Sequence, residues 1–469
     1  MRITCLLPRR LSILLLTILI ATGLGAPPAH AGGIVGDGTP GSCTRAAFNA
    51  ALVGGDSVTF NCGPNPFTIT LTLVKQISAD TKINGGGKIT LKAINTNHFR
   101  VLPGKTLTLE DISLTSGSAA AAGAIENSGT TILVGVTLAN NTSTDKGGAI
   151  TNHGMLSVRK STFSQNKATN GGGAIWSDGG TVKVEASGFE QNQTTGDINS
   201  EGGAIGVSAG ILTVANGTFI DNSAGNGGAL VNKASATVEF SNFFGNEAMN
   251  VGGAIYNANN NLTIDRSTLN GNQAGSGGGI AHFGNSFTLI ASTLVGNAAI
   301  GNGGGIFASG NASYTNSTLS GNQAGSLGGG LYQGRGEAVM LFTTVANNFA
   351  IAGAGVYKEG SVPGSLTLQN TLLSKNADGD CDGVLTSRGH NLASDTHCGG
   401  AFTQPGDRIG VDAKLGPLAN NGGPTLTHLP KSDSPAIDAA VMVNGVTTDQ
   451  RGVKRPRGAN PDIGSVEAK

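Results

Sequence analysis

The chain has 469 residues, of which only 12% are charged, and its formal net charge is +0 at pH 7. This balance gives no support for nucleic-acid binding, which requires a basic surface. The 76 glycines are compatible with disorder. Apolar residues nevertheless recur at strict intervals, so we interpret the glycines as corners of a repeating fold rather than as linkers.

Residues 1–31 have the features of a secretory signal peptide. Basic residues precede an apolar run from Leu11 to Leu24, and a small-x-small site follows at Ala29–Ala31. We predict export with cleavage near Ala31. Removal of three of the 29 basic residues leaves 26 against 29 acidic ones, a net charge of about −3. The last residues before Lys469 do not form an apolar tail. We therefore expect a secreted or cell-surface protein that is released and has no transmembrane anchor.

Residues 32–122 are predicted to form an N-terminal cap and the first turns of a solenoid. The segment Thr44–Leu52 places four apolar residues on one face of a short helix, which would cover the open end of the core. Alternating apolar residues then predict less regular strands within Gly55–Phe60, Ile83–Leu91 and Val101–Leu114.

Residues 123–376 repeat at an interval of about 25 residues. Copies of a Gly-Gly-Ala-Ile motif, such as Gly147–Ile150, end on Ile125, Ile150, Ile175, Ile205, Leu230, Ile255, Ile280, Ile306, Leu331 and Val356. A second column of the form apolar-x-x-Asn keeps step with it and contributes Asn141, Asn166, Asn192, Asn222, Asn246, Asn272, Asn297, Asn322, Asn348 and Asn376. One turn of a solenoid is therefore about 25 residues long.

Between the two columns the apolar residues alternate, as at Leu156 and Val158, which indicates strands rather than helices. The odd step from Val158 to Phe163 requires an exposed corner, and Arg159 and Lys160 suit one. We therefore predict an all-β fold, a parallel β-helix with a short N-terminal cap helix and an irregular C-terminal cap. Equivalent residues would stack about 4.8 Å apart, with apolar side chains and Asn amides in internal ladders.

Four cysteines remain after the signal peptide, and they fall into two local pairs. An even number of cysteines in an exported protein favours disulfides. Of the three possible pairings we prefer the local one, Cys43 with Cys62 and Cys381 with Cys398, which would close loops near the two ends of the array.

Three parts of the chain resemble known families. The opening strands resemble pectin-lyase-like proteins, which implies a right-handed β-helix, and the repeats of residues 123–376 resemble those of polymorphic outer-membrane proteins, a group of surface adhesins. Residues 377–469 contain Gly389–Leu392, Asn421–Thr425 and Ser434–Asp438 in an order that resembles the choice-of-anchor Q domain of bacterial exported β-helix proteins. Members often carry a cysteine near the last motif, where this chain has Pro461.

The resemblance implies a non-catalytic protein that serves in surface interaction or adhesion, with an extracellular glycan or protein surface as partner. The alternative on the same fold is a polysaccharide lyase or glycoside hydrolase acting on acidic polysaccharide. Such enzymes need clustered carboxylates or a basic residue. From 267 to 334 the sequence contains no Asp, Glu, Lys or Arg, so we favour the non-enzyme hypothesis and assign no catalytic residue and no cofactor.

Few residues are candidates for specific chemistry. Asp378, Asp380 and Asp382 resemble the first half of a calcium loop, but Gly389 stands where a twelfth-position carboxylate is expected, so a disulfide-tied loop is the preferred interpretation. His282 takes the place of Asn in other copies and is interpreted as a ladder or surface residue. Acidic and basic residues of the tail are interpreted as turn formers and internal ion pairs of the cap: Asp412, Asp438, Asp449, Arg451, Arg457 and Asp462.

The outward positions remain as candidates for binding. An aromatic column follows the Gly-Gly motifs at Trp176, Tyr256, Phe307, Tyr332 and Tyr357. These rings would either stack on a sugar or pack against one another along the rod. A second candidate is the five-residue insertion between Ile175 and Ile205. A column of threonines, one per strand, is explained by strand propensity: Thr162, Thr218, Thr268, Thr293, Thr318 and Thr344.

Overall fold

The computed structural model describes residues 32–468, and the predicted signal peptide lies outside them. These residues wind into a parallel β-helix of about 14 turns with almost no helix, which confirms the predicted fold class. A 39-stranded sheet wraps three faces of the rod, and a nine-stranded sheet forms the fourth.

The first face begins after the Gly corners. Its strands are Lys75–Ile77, Phe99–Val101, Ile125–Asn127, Ile150–Asn152, Leu230–Asn232, Ile255–Asn257, Ile280–His282, Ile306–Ala308, Leu331–Gln333, Val356–Lys358 and Cys381–Gly383. Two longer strands, Ile175–Glu185 and Ile205–Ala215, continue from the first face onto the second.

The second face consists of Gly33–Val35, Asp56–Phe60, Thr130–Val134, Met155–Arg159, Ser235–Glu239, Asn261–Asp265, Ser286–Ile290, Asn311–Thr315, Gly336–Leu341, Gly364–Gln369 and Thr386–Ser387. Thr81–Ala93 and Thr106–Thr115 run from it onto the third face.

The third face consists of Phe67–Leu71, Thr137–Ala139, Thr162–Ser164, Gly188–Glu190, Thr218–Ile220, Asn242–Phe244, Thr268–Asn270, Thr293–Val295, Thr318–Ser320, Thr344–Ala346, Leu372–Ser374, Leu392–Ala393 and Arg408–Ile409. The fourth face consists of Ser118–Ala119, Thr142–Ser143, Lys167–Ala168, Gln193–Thr194, Ser223–Asn226, Glu247–Val251, Gln273–Ala274, Ala298–Ala299 and Gln323–Ala324.

The corner between the second and third faces is made by a residue in the left-handed region. Lys160, Arg266 and Asn316 adopt φ values of 48°, 46° and 49° there. The polar corner expected between Val158 and Phe163 is therefore present. Most residues avoid this backbone conformation, so the corner costs some strain at each turn, which the stacked strands on either side offset.

The interior consists of stacked ladders of the apolar residues that the repeat predicted. Ile150, Leu156, Val158 and Phe163 are all fully buried. Four phenylalanines of consecutive turns stack with ring centroids 4.8, 4.9 and 4.6 Å apart: Phe163, Phe189, Phe219 and Phe243. Burial of these rings and of the aliphatic ladder residues is the main favourable contribution to the stability of the turns.

The asparagine column forms one continuous buried ladder from Asn141 to Asn376. Each side-chain amide donates to the Oδ1 of the next asparagine at 2.8 to 3.0 Å. The same amide also donates to a main-chain carbonyl of the preceding turn, as Asn166 does to Leu138 at 2.9 Å. Because buried amides without partners are costly, this network fixes the register of successive turns.

Both ends of the rod are closed. The helix Arg45–Ala51 begins at Thr44, whose side chain accepts from Ala47 N, and it buries Phe48 against the first turns as predicted. Short 3-10 helices lie at Pro40–Ser42 and His397–Gly400. Disulfides join Cys43 to Cys62 and Cys381 to Cys398, the local pairing that the sequence favours.

The C-terminal tail, residues 412–468, departs from the prediction of a cap that closes the end of the rod. The end is closed instead by the segment around Cys398 and Phe402, which joins the main core. The tail, including the antiparallel hairpin of Leu415–Ala419 and Thr427–Pro430, lies along the third face, where it hydrogen-bonds to residues from Ala291 to Asn370. The polar side chains of the third face offer hydrogen-bond partners to the tail, which the open apolar core at the end of the rod would not.

Candidate interaction surface

Five aromatic side chains on consecutive turns form a continuous row on the outside of the first face, here called the aromatic row. It consists of Tyr256, Phe283, Phe307, Tyr332 and Tyr357. Phe283 is the member that the sequence pattern missed, because its turn has Ala281 in the expected position. Phe283 lies two residues after Ala281, and its ring contacts both Tyr256 of the preceding turn and Phe307 of the next turn.

The rings use their surfaces in two different ways. Phe307, Tyr332 and Tyr357 stack nearly parallel, with centroids 5.0 and 5.6 Å apart, so their faces contact one another, and Tyr332 between them is only 8% exposed. Phe283 is tilted by 35° from Phe307, stands edge-on to Tyr256, and is 41% exposed. The ring available to an external ligand is therefore mainly that of Phe283.

Polar groups border one end of the row. The Tyr332 hydroxyl donates to Glu359 Oε2 at 3.3 Å, and burial together with this carboxylate raises the pKa of Tyr332 to about 12. Hydrogen bonds from the backbone and side chain of Ser361 lower the pKa of Glu359, so it is ionised at neutral pH. The arrangement offers an apolar ring and fixed acceptors on one side of the rod.

Trp176 does not join the row. It is only 4% exposed, and the Lys146 ammonium lies 4.2 Å from the centroid of its ring. Its column neighbour in the next turn is Gly206, so no aromatic ring continues the stack. Trp176 therefore occupies the predicted register column, but its ring is covered and does not stack on the rings from Tyr256 to Tyr357.

His282 lies in an internal ladder, one of the two positions predicted for it. Asn257 Nδ2 donates to His282 Nδ1 at 2.9 Å, so the proton of the neutral ring is on Nε2, which donates to the Asn311 carbonyl at 3.0 Å. Burial lowers the pKa of His282 to about 4. Its role in the structure is to extend the ladder.

The structure does not bring together the three carboxylates proposed as a calcium loop. Asp380 is buried, and its Oδ1 accepts from the Asn376 amide at 2.8 Å, so it ends the asparagine ladder. Its Oδ2 accepts from the Ser394 hydroxyl at 2.8 Å and from neighbouring backbone N–H groups. Asp378 and Asp382 are exposed. In residues 32–468 no group of three or more His, Cys, Asp or Glu side chains is arranged to hold a metal ion.

The charged residues of the tail form turns and internal ion pairs, as interpreted from the sequence, but on the flank of the rod. Arg451 pairs with Asp449 at 2.8 Å. Backbone N–H groups donate to the carboxylates of Asp412, Asp438 and Asp462. The Arg457 backbone N–H donates to Glu467. The sequence pattern did not indicate the pair of Arg455 with Glu467, in which both side chains are buried.

The fold and its ladders define the class of protein, a parallel β-helix built from short glycine-cornered repeats. The repeat of the Chlamydia polymorphic membrane protein matches residues 160–178, which contain both Phe163–Asn166 and Gly171–Ile175. A comparison with curated proteins finds no significant match to the chain. The match covers about one turn, so it identifies a type of repeat rather than a family for the whole chain. Together with two disulfides, this type of repeat favours a surface or extracellular protein.

Within residues 32–468, no helix combines the length and the apolar character needed to cross a membrane.

Proposed function

We propose that this protein is an exported, non-catalytic β-helix that serves in surface interaction or adhesion, and that it binds an extracellular glycan through the aromatic row. The observation that carries the proposal is Phe283, an apolar ring that is 41% exposed and is the second of the five rings in the row. Exposed aromatic rings are favourable platforms for the apolar faces of sugars, which combine C–H groups with hydroxyls at the edge.

The geometry around Phe283 supports a linear ligand lying along the rod. Five consecutive turns span four intervals, or about 19 Å at the spacing of paired strands. In one direction along the rod, a ligand over Phe283 reaches the partly exposed rings of Phe307 and Tyr357. Glu359 and the tyrosine hydroxyls then provide hydrogen-bonding groups for sugar hydroxyls.

The proposed location follows from three independent features. The first 31 residues resemble a signal peptide, the disulfides suit an oxidising compartment, and the repeat type is that of surface proteins. The motifs of residues 377–469 support a choice-of-anchor Q region as part of the same proposal.

The binding test compares two single substitutions of equally exposed phenylalanines. Phe283→Ala removes the exposed ring of the row, whereas Phe240→Ala removes a ring that is 43% exposed at a corner elsewhere on the rod. The mature protein and both variants are applied to an array of bacterial, plant and host glycans. We expect binding that is weakened at least tenfold by Phe283→Ala and unchanged by Phe240→Ala. Equal loss in both variants, or no glycan bound by the parent, would contradict the assignment of the row.

The alternative, a lyase or hydrolase acting on acidic polysaccharide, is tested separately. Incubation of the mature protein with a panel of acidic polysaccharides, with detection of unsaturated products and new reducing ends, measures turnover directly. Turnover that survives repurification would overturn the non-catalytic part of the proposal.

A further inference from the structure

A second outward row lies along the fourth face, in the strand Glu247–Val251 and in loops next to the strand positions of other turns. Four large apolar side chains, exposed by 54% to 84%, are each separated by 51 positions in the sequence: Ile198, Met249, Ile300 and Ile351. Because two turns contain about 51 residues, they stand on alternate turns. Ile198 comes from the five-residue insertion, which places it in phase with the other three.

Glycines occupy the turns between these side chains. A Cβ on Gly225 would lie 2.6 Å from Ile198 backbone atoms, one on Gly275 would lie 2.5 Å from Asn250 O, and one on Gly325 would lie 2.2 Å from Ile300 O. The glycines therefore sit directly against the backbone of the preceding turn. The result is an apolar ridge in which projections and saddles alternate, with a groove of about 410 Å³ between Met249, Gly275 and Ile300.

We propose that this apolar ridge is the interface of a two-fold symmetric dimer with a second copy of the chain. The partner must present projections about 9.6 Å apart, twice the spacing of paired strands. A second copy of the chain has projections with the same spacing, because it carries the same ridge. When two ridges lie antiparallel and are displaced by one turn, Ile300 of each copy faces Gly275 of the other. Met249 then faces Gly325 and Ile351 faces Gly225, whereas Ile198 lies just outside the overlap. Such mutual pairing is the property of an isologous interface.

The charges along the ridge agree with self-association. The outward residues of the neighbouring strand positions are Gln193, Ser223, Glu247, Gln273, Ala298 and Gln323, so one of six is charged. In the antiparallel arrangement the turn of Met249 faces the turn of Gly325. The Glu247 carboxylate therefore faces the Gln323 amide of the other copy, and no like charges meet.

The size of the ridge sets the strength of the dimer. With the one-turn displacement the ridges overlap over five turn intervals, and about five residues of strand then give about 24 by 16 Å, or about 800 Å² in total for both copies. This area is below that of stable specific interfaces and is typical of weak, transient association. The dimer should therefore form reversibly at micromolar to millimolar concentrations.

The first experiment measures the concentration dependence of mass for the mature, disulfide-bonded protein by sedimentation equilibrium. We expect a monomer–dimer equilibrium in the parent, at least a tenfold weaker association in Ile300→Lys, and no change in Leu73→Lys, whose side chain is 71% exposed near the N-terminal end. Both substitutions are at exposed positions, so the melting temperature should stay within a few degrees of the parent. A parent that remains monomeric at millimolar concentration, or a dimer that persists in Ile300→Lys, would overturn the proposal.

The second experiment tests the two-fold arrangement. Near the axis, the two copies of residue 300 lie about one turn or 4.8 Å apart along the rods, whereas the two copies of residue 351 lie about five turns or 24 Å apart. Mild oxidation should therefore cross-link Ile300→Cys into a covalent dimer and leave Ile351→Cys uncross-linked. Cross-linking of both variants would indicate parallel rods and would contradict the two-fold arrangement, as would cross-linking of neither.

Discussion

Phe240 and Phe342 occupy the same corner of two different turns, with φ 48° at both, and each has an arginine over its ring. Phe240 is 43% exposed, and its arginine, Arg266, comes from the next turn of the rod. Phe342 is fully buried, and its arginine, Arg455, comes from the tail. The repeat determines the backbone conformation at both positions. Whether the ring is exposed to solvent depends on the tail, which covers Phe342 and not Phe240.

The same contrast extends along the third face. Thr162 and Thr218 are partly exposed, whereas Thr293, Thr318 and Thr344 are buried beneath the tail. Gln450 is central to this cover. Its amide donates to Thr293 Oγ1 at 2.9 Å, and its carbonyl oxygen accepts from Thr318 Oγ1 at 2.6 Å. The tail thus buries the part of the threonine column that it covers and forms a polar interface with the third face.

The largest expected difference between the two regions comes from the arginines at these corners. Arg455→Met leaves the Glu467 carboxylate buried without its partner and should cost about 3 to 5 kcal/mol of unfolding free energy. Arg266→Met removes a pair in which Arg266 is 45% and Asp265 17% exposed, and it should change stability by about 1 kcal/mol or less. Denaturant titration of both variants measures this difference.

Hydrogen exchange locates the damage in the same variants. In Arg455→Met, peptides of the tail should lose protection while those of residues 123–266 keep it. Uniform loss along the rod would show that the tail is not a separate cover.

The pH dependence of stability tests the internal ladders separately from the tail. His282 belongs to a ladder of the first face, whereas the tail covers the third face. Its pKa is about 4 in the fold and near 6.5 in an unfolded chain, so the unfolded state binds more protons between these values. Stability should therefore fall as the pH drops from about 6.5 to about 4, by about 3 kcal/mol from this residue.

The matched variant is His282→Asn, since asparagine fills this ladder position at Asn232 and Asn257. It should lose less stability than the parent between pH 7 and pH 4 in urea titrations. His98, whose pKa burial also lowers to about 4, titrates in both proteins and cancels in the comparison. An identical pH dependence in parent and variant would show that His282 is not held neutral by the ladder.

The smallest effect is expected from threonines of the third face. Thr318→Ala removes the hydrogen bond to Gln450 and should cost about 1 to 2 kcal/mol, because the Gln450 oxygen is left buried. Thr162→Ala, in the uncovered region, should cost less than about 0.5 kcal/mol. Equal costs would mean that the tail adds nothing to the Thr318 environment.

The interior of the rod was predictable because each of its contacts repeats. Every turn places an apolar residue and an asparagine at the same interval, so Ile150 and Asn166 reveal the stacking without any structure. The C-terminal flank was not predictable, since Thr318 and Gln450 are 132 positions apart and their contact occurs once. Nothing in the threonine column itself separates Thr162 from Thr318.

The candidate surfaces were partly predictable for the same reason. Tyr332 and Tyr357 follow their motifs and were found, whereas Phe283 reaches the aromatic row from a different position and was not. The sequence places Asp380 in a disulfide-tied loop beside Cys381, with a calcium loop as the weaker alternative. In the structure Asp380 accepts from Asn376, so its carboxylate ends the asparagine ladder in the place of a further amide.

Hydroxyl-radical footprinting of the mature protein, read by mass spectrometry at Phe240 and Phe342, tests the account most directly. The two residues have the same intrinsic reactivity and the same corner backbone, so their oxidation rates report exposure alone. A tail folded along the third face predicts rapid oxidation of Phe240 and strong protection of Phe342. Similar rates at the two rings would contradict it.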